Sequence, residues 1–255
     1  MDDNPRFPIA PPPFDGASRR VDPGACFDWL RQGWALFMAN PGIWLAAAVL
    51  VLVLTLALHI VPFIGTLAAN LLTPVLAAGL LHMARRQSTG GELALNDLFA
   101  GFQERAGPLV ILGVIYSVAL LLIFLVVGLL VAGGIAGGTA GMVMGGGRAA
   151  SLGLGMMLGG MLLGGLLAAV LSAPLFMAMW FAPALVYFNG MEPVAALKAS
   201  FAACLANWLA FLVYGVILLV LGFFAALPMG LGFLVLVPVL AGALHASYRD
   251  IFPKA

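Results

Sequence analysis

Between Ile43 and Tyr248 the chain is a succession of long apolar runs without a single Asp, Glu, Lys or Arg inside them, and every charge lies in the short segments that break them or in the two flanks. Ten of the eleven basic residues and all ten acidic ones fall in segments that face one side if the runs are paired as spans, with Arg148 the one exception. A run of about 20 apolar residues spans a bilayer as a helix. With 64% hydrophobic and 8% charged residues and a mean hydropathy of +1.13, the chain lies far outside the composition of water-soluble domains. Lipid is its solvent.

The runs define spans at about 43–60, 63–83, 109–132, 156–188, 208–227 and 229–248. The turns after the first and fifth, Val61-Pro62 and Pro228 with Gly230, carry no charge. The other connections hold Arg85, Arg86, Arg105 and Lys198, and the flanks hold Arg31 and Arg249. By the positive-inside rule these six residues set the topology, with both termini and both charged loops cytoplasmic. Residues 1–25, rich in Pro, read as a disordered cytoplasmic tail, and Pro8 to Pro11 has PxxP spacing. Residues 26–255 form the integral membrane domain. No apolar stretch precedes Ile43, so no cleavable signal peptide is expected and the first span would be an uncleaved anchor. Cys26 and Cys204 fall in cytoplasmic segments, where thiols stay reduced. Net charge of +1 with dispersed basic residues gives no field for nucleic acid.

Residues 133–165 are a Gly, Met and Leu stretch with several small-xxx-small spacings, among them Gly134/Gly138, Gly141/Gly145, Gly155/Gly159 and Gly160/Gly164. The expectation is a flexible outer loop up to Arg148 followed by a tightly packed fourth span; the alternative is a re-entrant or bent helix buried against protein. A seventh span would send Lys198 outward.

Segments 27–40 and 194–207 align without gaps at an offset of 167. Phe27, Leu30, Trp34, Phe37 and Met38 match Val194, Leu197, Phe201, Cys204 and Leu205, an apolar stripe at helical spacing, and Arg31 matches Lys198 as Asn40 matches Asn207. Leu95, Phe99 and Phe102 continue the stripe at an offset of 65. Each copy precedes an apolar pair, so the chain reads as three units of an interfacial amphipathic helix plus a hairpin, about a pseudo-threefold axis normal to the membrane. Pro74, Pro174 and Pro238 should be equivalent. Pro41 and Pro193 separate the short helices from the spans. Trp29, Trp34, Phe37, Phe99, Phe102, Phe201 and Trp208 are the candidate interfacial anchors. The expected fold class is all-α, a polytopic helical membrane protein with about six transmembrane helices.

This layout, with WFAPALVYFNG at 180–190 running into ALKASFAACLANWLAFLVYG at 196–215, resembles an uncharacterised family of proteobacterial inner-membrane proteins and is more distantly similar to YciC-like proteins and to the membrane domain of some glycerophosphodiesterases. The Gly-rich stretch departs from the pattern. The resemblance implies the fold and the bacterial inner membrane, and no activity.

Reactive groups are sparse. His59, His82 and His245 sit at span ends, where snorkelling or hydrogen bonding accounts for them. No metal or cofactor is expected, nor a catalytic site, because GxSxG, HExxH, Walker A and dinucleotide fingerprints are missing from the sequence. Asn70, Thr73, Tyr116, Ser117 and Tyr214 read as interhelical hydrogen-bonding groups. Pro74, Pro174, Pro183 and Pro238 are candidate helix breaks. The expected function is a non-enzymatic scaffold, assembly or envelope-homeostasis factor whose partners are membrane lipids, a second copy or other membrane proteins. The alternatives are a transporter or channel for a small or lipidic solute, and an enzyme acting on lipid headgroups.

Overall fold

A computed structural model describes residues 14–144 and 147–253, without the side chains of 144, 148 and 149. The PxxP segment, Lys254 and Gly145 lie outside the described residues. Among those described, nine α-helices and one 3-10 turn follow one another with no strand: α1 (Ala25–Ala39), α2 (Pro41–His59), α3 (Ile64–Ser88), the turn Leu95–Phe99 leading into α4 (Ala100–Glu104), α5 (Ala106–Met144), α6 (Gly147–Asn189), α7 (Pro193–Ala206), α8 (Trp208–Ala226) and α9 (Phe233–Ile251). Six of them are long and apolar enough to cross a membrane. A short helix followed by two long ones occurs three times, as the repeat requires.

Single residues with non-helical backbone separate each short helix from its hairpin: Asn40 (φ −145°), Arg105 (φ −140°) and Asn207 (φ −114°). The turns of the first and third hairpins are also alike. In both, a residue of positive φ follows a proline, Phe63 at 63° and Met229 at 53°.

The units interlock in a ring. The turn and α4 lie on α3, α7 lies on α6, and α1 lies on α9, so each short helix sits on the last helix of the unit before it in cyclic order. The first long helices follow the same rule: α5 leans on α3, α2 on α9, and α8 on α6 through Trp180, Phe181, Phe211 and Tyr214. Pro74, Pro174 and Pro238 each fall about four turns before the end of α3, α6 and α9.

Close backbone approach makes the seats. A Cβ on Gly33 would fall 2.2 Å from the Val239 carbonyl oxygen, and one on Gly79 would fall 1.8 Å from that of Leu98. At the third seat Ser200 enters the α6 ladder, accepting from the Phe181 N–H at 2.9 Å and donating to the Met177 carbonyl at 2.7 Å. The 167-residue offset holds in burial: Trp29, Gly33 and Phe37 are buried in α1, and their matches Ala196, Ser200 and Cys204 are buried in α7.

The Gly-rich stretch is not a loop. Helix α5 continues to Met144 and α6 resumes at Gly147, so the spans at 109–132 and 156–188 extend to 106–144 and 147–189. Glycine is a poor helix former in water, but in an apolar medium the backbone must bond to itself, and here the glycines let two helices touch. Gly134 meets Gly160, with a Cβ on Gly134 only 2.8 Å from the Gly160 Cα, and a Cβ on Gly138 would lie 2.5 Å from the Gly153 carbonyl oxygen. At 39 residues α5 is about 58 Å long, roughly twice a hydrocarbon core, whereas the 19 residues of α2 cover about 28 Å.

Residues 14–24, drawn with the disordered tail, are fastened instead. Phe14 packs edge-on against Phe252, the Arg19 N–H donates to the Ile251 carbonyl at 2.8 Å, and the Val21 N–H donates to the Asn207 side chain at 2.8 Å. This strap joins the third unit to the first. Backbone partners across 186 to 232 positions of sequence are invisible to composition.

Replacing Gly138 with Leu should separate α5 from α6 and destabilise the protein by about 1–3 kcal/mol. Gly159→Leu, at a glycine facing open space, should be near neutral. Melting temperatures of the two purified variants measure the difference; equal melting would mean that the hairpin does not rely on glycine contact.

Candidate functional site

The C-terminal ends of α3, α6 and α9 meet the short helices at one end of the bundle, and the charges collect there. Asp250 accepts from Arg19 and from the Trp29 indole at 2.9 Å. Asp97, 8% exposed, takes the Arg86 guanidinium at 2.6 Å and caps the Ala94 N–H at 2.9 Å. The Trp44 indole donates to Gln87 at 2.8 Å, and Gln87 donates to the Leu36 carbonyl at 2.9 Å, tying α1, α2 and α3 together.

The candidate anchors divide into two groups. Trp34, Phe102 and Trp208 are exposed, and Phe99 and Phe201 are half-buried, as lipid-facing anchors would be. Trp29, at 1% exposure, and Phe37 are enclosed by protein. Trp29 stacks near Phe211 and Tyr214, so the face of α1 that docks on the bundle is Cys26, Trp29, Gly33 and Phe37, about one residue out of phase with the apolar stripe, most of which points outward. Glycine at 33 hid that face, because it contributes no hydrophobicity while allowing the closest contact.

Of the residues expected to set the topology, Arg31 reaches Asp28 at 3.6 Å on an exposed face, and Lys198 is exposed. Arg105 lies against Gly190, and Arg249 borders a cavity of about 320 Å³ with Gln32, Ser88 and His245. The polar groups expected to bridge helices mostly do not. Thr73 donates to Ala69 at 2.7 Å and Ser117 to Gly113 at 2.8 Å, each on its own helix, the usual fate of a hydroxyl one turn from a carbonyl.

Two cavities lie one above the other along the α3/α6 seam. The first, of about 380 Å³, is at mid-helix between Asn70, Thr73, Tyr116, Trp180 and Pro183. The second, of about 500 Å³ at the charged end, is lined by His82, Arg85, Arg86, Thr89, Glu104, Tyr187 and Phe188. Along α3 and α6 the positions between the two linings include the fully buried Ala78, Leu81, Ala184 and Leu185. In the second cavity the Tyr187 hydroxyl meets His82 Nδ1 at 2.7 Å, and Arg85 lies 4.9 Å over the Phe188 ring. A third cavity, of about 460 Å³, opens sideways between α6 and α8, bounded by Phe176, Trp180, Trp208, Phe211, Leu212 and Tyr214. Trp180 lines the first and third of these and a smaller cavity of about 160 Å³ toward α9, beside Leu81, Val237 and Leu240, and its indole N–H is buried with no hydrogen-bond partner among the described residues.

An all-helical body with six apolar membrane-length helices, its charges gathered at one end, defines a polytopic membrane protein. Residues 60–174 match the DUF2189 family model, described as a predicted integral membrane protein, and over nearly its whole length the chain belongs to the family of a bacterial probable inner membrane protein. It is 33% identical over 223 residues to a probable inner membrane protein of Burkholderia thailandensis, covering 86% of this chain and 79% of the relative. No solved structure matches. The matched range runs through the Gly-rich stretch, which the sequence motifs had set apart from the family pattern; the likeness to YciC-like proteins rests on those motifs alone. This is a multi-pass protein of the inner membrane.

Two measurements follow from this packing. Ser200→Ala removes the hydroxyl that serves both Phe181 and Met177, so it should destabilise by about 1–3 kcal/mol, read as a lower melting temperature, with Ser200→Thr milder. Burial raises the Cys26 thiol and pushes Cys204 up to about 12. A raised value keeps the protonated, unreactive form in place well above pH 8, so neither native thiol should label with a maleimide until the protein is denatured. Fast labelling of native protein at pH 8 would mean that the short helices are undocked.

Proposed function

We propose that the protein is a non-enzymatic membrane scaffold that works through its lateral surface, as an assembly or envelope-homeostasis factor holding lipid and neighbouring membrane proteins. The observation that carries this reading is the seam between α6 and α8. In the equivalent seams, α3/α5 and α9/α2, the helices run close together, with Gly113 against the Leu71 backbone in the first, whereas this one is propped open by aromatic rings and leaves a groove. Its lining of Trp, Phe, Tyr and Leu suits acyl chains or an apolar helix, and the one thiol on it, Cys204, is kept protonated by burial. The overlong α5/α6 hairpin adds a second apolar surface, with Val143 and Leu162 strongly exposed.

A specific feature favours a second reading. The two cavities along α3/α6, set in succession toward the charged end with buried positions between their linings, suit a path for a small or lipidic solute. In both readings the positive-inside rule puts the charged end, with Arg85, Arg86 and Arg105, in the cytoplasm. Cysteine at Thr139 in a variant lacking native cysteines should label from outside intact cells, and cysteine at Gln103 should not.

Reconstitution separates the two readings. Vesicles containing the protein should release a trapped small solute, and exchange a labelled lipid between leaflets, no faster than empty vesicles. A rate several-fold above that background would overturn the scaffold reading in favour of transport.

A further inference from the structure

We propose that the cavity at the charged ends of α3 and α6 binds the zwitterionic headgroup of a phosphatidylethanolamine-type lipid, with Arg85 on the phosphate and Glu104 on the ammonium. This names a ligand for the lateral-surface reading and rests on it.

The charge arrangement is the first ground. Three ionic side chains line the cavity, Arg85, Arg86 and Glu104. Arg86 is already committed to the buried Asp97. Arg85 and Glu104 face the same space of about 500 Å³, yet neither belongs to an ion pair among the described residues, with each other or with anything else. Opposite charges that share a cavity without closing on each other leave room for a ligand carrying both signs. The Phe188 ring under Arg85 holds the guanidinium by cation–π contact and leaves its N–H fork free for a phosphate.

The second ground is hydrogen-bond chemistry on the other side. The Glu104 carboxylate stands beside the Tyr187 hydroxyl, which is itself fixed by His82. A primary ammonium donates three N–H bonds and can use these acceptors. A trimethylammonium has no N–H, and the aromatic face that would attract it is occupied by Arg85. A purely anionic headgroup would bring its charge toward Glu104. The cavity therefore discriminates among headgroups by sign on one side and by donor capacity on the other.

Location is the third. His82, Arg85 and Arg86 occupy the last two turns of α3 and Thr89 follows its end, at the edge of the apolar stretch, where headgroups lie.

The test is lipid titration of delipidated full-length protein in detergent, followed by native mass spectrometry and by melting temperature. Phosphatidylethanolamine should bind at least tenfold more tightly than phosphatidylcholine or phosphatidylglycerol. Arg85→Gln should weaken it at least tenfold and Arg85→Lys less, while Arg31→Gln, an exposed cation elsewhere, should change nothing. Glu104→Gln has a distinctive readout: it should lose the preference for ethanolamine and gain affinity for phosphatidylglycerol, an exchange that misfolding would not produce. Unchanged selectivity in a folded Glu104→Gln protein, or equal binding of the three lipids by wild type, would overturn the site. Free phosphoethanolamine binding as tightly as the lipid would overturn the membrane source. Vesicle release and lipid exchange are measured separately, so a failed scaffold reading shows as flux while a failed headgroup site shows as lost selectivity without flux.

Discussion

Everything in this bundle depends on how closely a short helix can approach the last span of the preceding unit. In lipid, apolar burial between spans gives little driving force, because a side chain leaves one apolar medium for another; association relies on contact distance and hydrogen bonds. The seats supply both. Gly33 against Val239 and Gly79 against Leu98 bring backbone to backbone, and Ser200 substitutes a two-way hydrogen bond for the missing approach. With three such seats the units close into a ring, and the strap from Phe14 to Val21 fastens the first unit to the third.

Ring closure from non-identical units makes some seams tight and others open. The middle unit invested its glycines in the α5/α6 contact and became twice as long as its neighbours. The α6/α8 seam is instead kept apart by large rings, with Trp180 between Phe211 and Tyr214. An open seam in a membrane protein does not fill with water as it would in a soluble domain. It faces acyl chains, so the departure from symmetry is also where the surface becomes specific.

At the charged end the governing rule is different. The buried Asp97 and the half-buried Asp250 there are both paired and hydrogen-bonded, because an isolated charge near hydrocarbon is expensive. Arg85 and Glu104 lie instead on the exposed rim of one cavity and belong to no ion pair among the described residues.

The sequence by itself determined the number of spans, their pairing and the three-unit order, since these follow from uninterrupted apolar length and from charge, which act locally along the chain. It also carried the register of the short helices, legible in the 167-residue match of Trp29, Gly33 and Phe37 with Ala196, Ser200 and Cys204. The buried face was misread by one position because glycine and serine score as polar or neutral, although they make the closest contacts. The Gly-rich stretch was misread for the same reason: propensity in water describes an exposed helix, and only a partner helix at Gly134 and Gly138 turns glycine into an asset. The ring order, the strap, the open α6/α8 seam and the cavity shared by Arg85 and Glu104 were decided by tertiary structure alone, because each joins residues from different units whose proximity no local pattern encodes.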